Sequence, residues 1–274
     1  FDLVESEINL DLSGQADFYG LISGPVDDFK IDFENEINQA EINGIPIEKV
    51  KGNIQVEDTN NIKVEQNLSL VEKGNLIVSG DIYPDQNELD LSIISDKLPL
   101  NLFKDTVSMI SEVEGQVKGK ISVNGKISRP DFDGQLQLAG ESLVSSLPDK
   151  LSSFSGELLF NDKQIRLSDI KAKYGKGNIE LTGIINPFDS DNTWDLILEG
   201  ENIPFERGSY SGLFDTEEGV QVTGPLTEPL IKGDLLTHDF LVEMPFRWPM
   251  SETNSMFKPR LDLTLHPGED VYFR

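Results

Sequence analysis

The side chains best suited to chemistry are few and scattered. The only two histidines are His238 and His266, with Asp239 beside the first and Glu269 and Asp270 close after the second. A zinc site or a hydrolytic triad needs further groups converging on each imidazole, and neither neighbourhood supplies them. Both therefore read as surface histidines. Asp189, Asp191, Thr193 and Asp195 match the opening of a calcium loop. However, Trp194 stands where the sharp turn needs glycine, and Gly200 stands where the bidentate glutamate belongs. The run G-Q-V-K-G-K ending at Lys120 has the wrong gap for a phosphate loop and no following Ser or Thr, and Gly175-Lys-Gly177 lacks the third glycine of a dinucleotide fingerprint. Asn67-Leu68-Ser69 fits a glycosylation acceptor, a triplet that also arises by chance. No cysteine is present, which excludes disulfides, thiolate metal sites and thiol catalysis. The expectation is a protein that is not an enzyme, with no catalytic residue, no metal and no cofactor.

What the chain does offer is apolar faces on strands. In V-K-G-K-I-S-V-N-G-K-I, residues Val117, Gly119, Ile121, Val123, Gly125 and Ile127 fall on every second position, with Lys118, Lys120, Ser122, Asn124 and Lys126 between them. Side chains alternate across a strand, so one face is aliphatic and the other solvated. After the turn signal Ser128-Arg129-Pro130, the face continues with Phe132, Gly134, Leu136, Leu138 and Gly140. The same alternation recurs along the chain. It begins with Ile8, Leu10 and Leu12, and appears again in Phe29, Ile31 and Phe33. Further runs are Val50 to Val56, Gly74 to Ile82, and Leu89 to Ile93. Later come Phe154, Leu158 and Phe160, then Ile165 and Leu167, then Ile179, Leu181 and Ile185, then Trp194, Leu196 and Leu198. Val220 to Leu226, Ile231 to Leu235, and Leu261 to Leu265 complete the set. One stretch departs from it. Leu102, Phe103, Val107, Ile110 and Val113 have helical spacing, with Asn101 as candidate N-cap and Gly115 as stop, which predicts one short helix over 102–113.

The chain repeats itself. Gly125-Lys-Ile-Ser-Arg-Pro-Asp-Phe-Asp-Gly134 matches Gly224-Pro-Leu-Thr-Glu-Pro-Leu-Ile-Lys-Gly233, 99 residues on. Gly74 to Ile82 matches Gly177 to Ile185 at a shift of 103, as does Ile62-Lys63-Val64 with Ile165-Arg166-Leu167. Leu89 to Leu100 matches Trp194 to Phe205 at 105. The repeats fall at roughly 1–20 (partial), 21–121, 122–220 and 221–274 (partial), and one full unit holds about eight short strands. This period exceeds those of common solenoids. No linker or composition break divides the chain, so it reads as a single elongated unit. Both ends fall in strand-like runs, as in a piece of a longer protein.

The formal net charge of −26 argues against nucleic acid and anionic membrane surfaces as partners. The acid is uneven: residues 1–48 carry a net −11, whereas residues 115–130 carry +4. No apolar run approaches the ~20 residues of a spanning helix. The predicted fold class is all-β, an elongated, mostly antiparallel sheet. With no helices alternating with the strands to cover it, the sheet must either close on itself or leave an apolar trough. The inner glycines Gly119, Gly125, Gly134 and Gly183 either relieve crowding where the sheet curls or mark bulges and tight packing.

The runs G-K-I-S-V-N-G-K-I-S-R-P-D-F-D-G-Q-L-Q-L-A-G (119–140) and G-V-Q-V-T-G-P-L-T-E-P-L-I-K-G-D-L (219–235) resemble the TamB and AsmA-like family of bacterial envelope proteins, in particular the carboxy-terminal region of its TamB members. The run 147–167 resembles it too. The resemblance implies a curled half-pipe, or β-taco, with a greasy interior that spans the periplasm. It implies a passive conduit for phospholipid or another acyl-chain lipid between inner and outer membrane. The resemblance to the TamB members also implies the alternative, a scaffold for assembly of outer-membrane β-barrel proteins with an outer-membrane barrel partner. Membrane contact and inner-membrane anchorage would come from segments outside this sequence. The lipid-binding residues on this reading are Val117, Ile121, Val123, Ile127, Phe132, Leu136, Leu138, Phe154, Leu158, Phe160, Ile165, Leu167, Ile179, Leu181, Ile185, Trp194, Leu196 and Leu198. The scarcity of Lys and Arg and the expected helix depart from the family pattern.

Overall fold

The computed structural model describes residues 12–25, 30–42, 45–57, 60–70, 74–102, 110–145, 150–187, 193–207, 209–225, 227–242, 258–268 and 271–273. The protein is all-β. Among the described residues, eighteen strands belong to one large, mostly antiparallel sheet. Packing divides the chain into two units, the first mainly Phe1–Ser108 with Glu114–Gln137, the second mainly Leu138–Leu159 with Lys163–Arg274.

Unit 1 is a meander. β1 (Leu12–Ser23), β2 (Lys30–Ile42), β3 (Ile45–Glu57), β4 (Asn61–Leu70), β5 (Asn75–Tyr83), β6 (Glu88–Pro99) and β7 (Ile110–Lys126) each pair antiparallel with the next. Consecutive strands joined by short turns favour this order. The β5–β6 turn is a 3₁₀ turn, Pro84–Gln86, closed by Asn87 in the left-handed conformation, with the Asn87 N–H donating to the Pro84 carbonyl at 3.0 Å. β8 (Arg129–Ser145) follows the turn at Ile127 and Ser128.

The expected helix over 102–113 is a correction. Ile110–Val113 lie in β7, Leu100–Leu102 form a 3₁₀ turn, and Phe103 and Val107 lie outside the described residues. Within the strand, Val113 is buried between exposed Glu112 and Glu114. Alternation with Val117 therefore overrides the i, i+3 match of Ile110 to Val113. β-branched Val and Ile also favour the strand locally.

Unit 2 contains β9 (Leu151–Asp162) for most of its length, β10 (Gln164–Tyr174), β11 (Gly177–Asn186) and β12 (Thr193–Glu201). The chain then leaves the simple meander. β12 pairs not with the next strand but with β15 (Val220–Pro225). Between them β13 (Ile203–Arg207) and β14 (Tyr210–Thr216) form a hairpin, and β14 pairs with β16 (Leu230–Val242). β16 then pairs parallel with β17 (Arg260–Pro267) and β18 (Val271–Phe273).

Candidate functional site

Register decides which side chains meet. In antiparallel ladders, directly paired residues share a face, so reading partners across successive strands traces lanes across the sheet. In unit 2 one lane runs Ile165, Ile185, Trp194, Gly224 across β10, β11, β12 and β15. The next runs Leu167, Gly183, Leu196, Val222 and on to Ile231 of β16. A third runs Ile170, Leu181, Leu198, Val220, and a fourth Ala172, Ile179, Gly200. The expected residues Ile165, Leu167, Ile179, Leu181, Ile185, Trp194, Leu196 and Leu198 therefore stand together on one apolar face. Leu196 is 2% exposed and Leu167 and Val220 are buried, while Ile165, Ile179, Leu181, Ile185, Trp194 and Leu198 are half-buried. The opposite face is mostly polar, with Lys171 and Glu180 paired at 3.4 Å, and also carries Ile184 and Ile197. Trp194 Nε1 is buried without a hydrogen-bond acceptor among the described residues.

A glycine sets the spacing of this face. Gly183 has φ +133°, and a Cβ there would collide with the backbone of Asp195 and Leu196. Only a residue without a side chain lets β12 approach β11 this closely. Gly80 in unit 1 repeats the arrangement, with φ +145° and the backbone of Asp90 and Leu91 in the Cβ position.

Unit 1 builds comparable lanes. One runs Phe33, Ile54, Val64, Gly80, Leu91, Val123, and its neighbour Ile31, Val56, Ile62, Ile82, Leu89, Gly125. Val117, Ile121 and Val123 thus pair with Leu98, Ile93 and Leu91. The lane through Ile121 differs in kind. It reads Phe18, Asn35, Gly52, Gln66, Val78, Ile93, Ile121. The Asn35 and Gln66 amides reach across Gly52 and bond reciprocally, Asn35 Nδ2 donating to Gln66 Oε1 at 3.1 Å and Gln66 Nε2 to Asn35 Oδ1 at 2.8 Å. A side chain at Gly52 would occupy the place of the Gln66 amide.

The remaining expected residues are placed less uniformly. Phe132 and Leu136 of β8 are half-buried in unit 1, with Leu136 Cα against Gly119; Leu138 of β8 and Phe154 and Leu158 of β9 are half-buried in unit 2. Phe160 of β9 is half-buried and is assigned to unit 1. Ile127 is not on the face. It sits in the β7–β8 turn, 38% exposed, with its N–H donating to the Asn87 carbonyl at 2.9 Å. The turn takes it out of the alternation that its sequence position suggests.

Unit 2 also holds an apolar groove of about 500 Å³ absent from the sequence expectation. β13 and β14 supply Phe205, Tyr210, Leu213 and Phe214, β16 supplies Leu235, Thr237 and Phe240, and β17 supplies Leu261, Leu263 and Leu265. The rings Phe205 and Phe214 meet edge-on at 6.5 Å, and Tyr210 and Phe240 lie 6.4 Å apart. The polar member, Thr237, is satisfied by donating to the His266 carbonyl at 3.1 Å. The clustering of Phe205, Tyr210, Phe214 and Phe240 in sequence was the available signal.

The histidines find carboxylate partners that sequence adjacency did not suggest. His238 Nε2 lies 2.8 Å from Asp215 Oδ2, and His266 Nε2 lies 3.1 Å from Asp234 Oδ1. The imidazole of His266, and then the Thr264 hydroxyl, hold the Asp234 carboxyl below its ordinary value. Among the described residues no group of three His, Asp or Glu side chains converges to hold a metal ion. Glu269, Asp270, Asp189 and Asp191 lie outside the described residues. Among those residues, too, no helix is long and apolar enough to cross a membrane.

No family model, curated protein or solved structure matches the chain.

Proposed function

We propose that this chain is part of a passive lipid conduit in a bacterial envelope, carrying phospholipid acyl chains along its apolar sheet face across the periplasm without a catalytic step. The observation that carries the reading is the apolar face of β10, β11, β12 and β15, with six of its expected residues only half-buried. Exposing acyl chain to water costs about 0.8 kcal/mol per CH₂. A face of Ile, Leu and Val removes that cost without directional bonds, so a chain can shift along it without breaking one. The half-buried aliphatics gain in the same way when covered. The resemblance of 119–140 and 219–235 to envelope lipid carriers points in the same direction.

A photo-crosslinking residue at Leu181 or Ile121 tests the reading in a bacterium with two membranes. Phospholipid adducts at both positions, and none at Lys173 on the polar face, are expected by mass spectrometry. Equal capture on both faces, or none, overturns it. Adducts to nascent outer-membrane barrel proteins in place of lipid favour the scaffold alternative.

A further inference from the structure

The antiparallel ladder of unit 2 is interrupted at one level across several strands. β12 pairs with β15 as far as Leu198 and Val220, and pairing resumes only at Ile203 and Phe214, between β13 and β14. Across the gap, 199–202 and 215–219 share no ladder pair. β16 changes partner at the same level, from β15 at Lys232 to β14 at Leu235, with Gly233 and Asp234 between. The chain bends there, with Asn202 at φ +53° and Gly219 at φ +84°. Unit 1 keeps the equivalent stretch nearly closed. Lys97, at φ +54°, is its bend, but Ser95 pairs with Gly119 and Leu98 already with Val117. In unit 2, side chains fill the gap. The Thr216 hydroxyl accepts from the Gly200 N–H at 3.0 Å and donates to the Gly200 carbonyl at 3.5 Å, so one hydroxyl serves both backbone groups of a buried residue. Asp215 Oδ1 accepts from the Asn202 N–H at 2.6 Å, and its other oxygen lies 2.8 Å from His238 Nε2 of β16. Backbone groups buried without a partner are costly, so closure at this level depends on these two side chains.

We infer that β13, β14 and residues 235–242 of β16 form a flap, hinged along β17 and latched to β12 by Thr216 and Asp215. The hinge side is unbroken, because β17 crosses the level of the gap with Leu263 paired to Gly233 and Thr264 to Asp234. The flap coheres by itself. Phe205 meets Phe214 and Tyr210 meets Phe240 within it, and β14 stays paired with β16 from Tyr210 to Thr216. The Asp215–His238 contact also lies inside the flap, so the carboxylate is held in place for Asn202 from the flap side. All four rings of the apolar groove belong to the flap, whereas Leu261, Leu263 and Leu265 belong to β17. Unlatching therefore changes the width of the groove and leaves the ladders of β10, β11, β12 and β15 intact. A gap held by side chains opens at the loss of few bonds, and such low-stability lines are where sheets move first. The inference is independent of the lipid reading.

The test is a distance measurement. The chain has no cysteine, so Glu206→Cys on β13 and Gln221→Cys on β15, both at exposed positions, take one pair of spin labels across the latch. Lys173→Cys with Gln221→Cys gives a second pair that lies off the flap. Pulsed dipolar spectroscopy on the labelled 274-residue chain should show two separations across the latch. Thr216→Val keeps the shape of the side chain and removes the hydroxyl, and should raise the ratio of the long to the short separation about fivefold. Thr216→Ser keeps the hydroxyl and should leave that ratio near its starting value. The second pair should hold one separation in all three chains. A single separation across the latch that Thr216→Val neither splits nor shifts overturns the inference. So does a valine effect shared by the second pair, or a serine variant that behaves as the valine variant does.

Discussion

In unit 1 the lane through β4, β5, β6 and β7 reads Gln66, Val78, Ile93, Ile121; in unit 2 the matching lane through β10, β11, β12 and β15 reads Ile170, Leu181, Leu198, Val220. The lanes beside them also correspond. Val64, Gly80, Leu91, Val123 answers to Leu167, Gly183, Leu196, Val222, and Ile62, Ile82, Leu89, Gly125 answers to Ile165, Ile185, Trp194, Gly224. The same scaffold therefore presents two different surfaces. Unit 1 places a reciprocal amide pair in the middle of its apolar face; unit 2 keeps that position aliphatic and adds the aromatic groove made by β13 and β14. A passenger held only by apolar contact would meet a polar station in unit 1 and none in unit 2.

The largest expected effect tests the shared element. Gly183→Val forces a side chain into the backbone of β12 at a φ that β-branched residues avoid. Gly80→Val does the same to β6. Each should cost about 3 kcal/mol or more in denaturant unfolding, and a mild effect in one alone would break the equivalence. Next comes burial. Leu196→Ala, at a site 2% exposed, should cost about 3 kcal/mol, and Leu91→Ala, at the half-buried equivalent, about half as much.

The amide pair sharpens the difference between the units. Gln66→Ile leaves the buried Asn35 amide without its partner and should cost about 1–3 kcal/mol. Adding Asn35→Leu should recover part of that loss. If lipid uses this face, it should also raise lipid capture at Ile121 toward the level at Leu181.

The smallest effect is on pH. Glu36, beside Lys49 and Asn38, and Asp234, beside His266 and Thr264, both hold carboxyls below their ordinary values. A lowered folded value contributes stability that is present above the unfolded value and lost as pH falls through the folded one. Both units should therefore lose stability as pH drops from about 4 downward. Lys49→Met should return the Glu36 midpoint upward in an NMR titration while leaving Asp234 unmoved.

Much of this was legible because strand alternation has a period of two and survives in each short segment. The apolar face from Val117 to Val123 and the faces of β10, β11 and β12 could be read directly. Ile127 and the 102–113 stretch could not. A turn ends the alternation at Ile127, and an i, i+3 coincidence imitates a helix at Ile110 and Val113. The groove was missed because its members come from four strands, one of them parallel to its neighbour, and nothing local links Phe205 to Leu263.

Strand alternation alone shows that the chain is made of strands and which residues share a face within each, and the lack of cysteine excludes disulfides and thiolate sites. Which faces meet is set by the fold. Pairing Asn35 with Gln66 across Gly52 and passing β12 to β15 around the β13–β14 hairpin are matters of register and strand order. Those are fixed by contacts between residues far apart in the chain, where the free energy of closing long loops is set by the whole sheet and no single segment carries the signal.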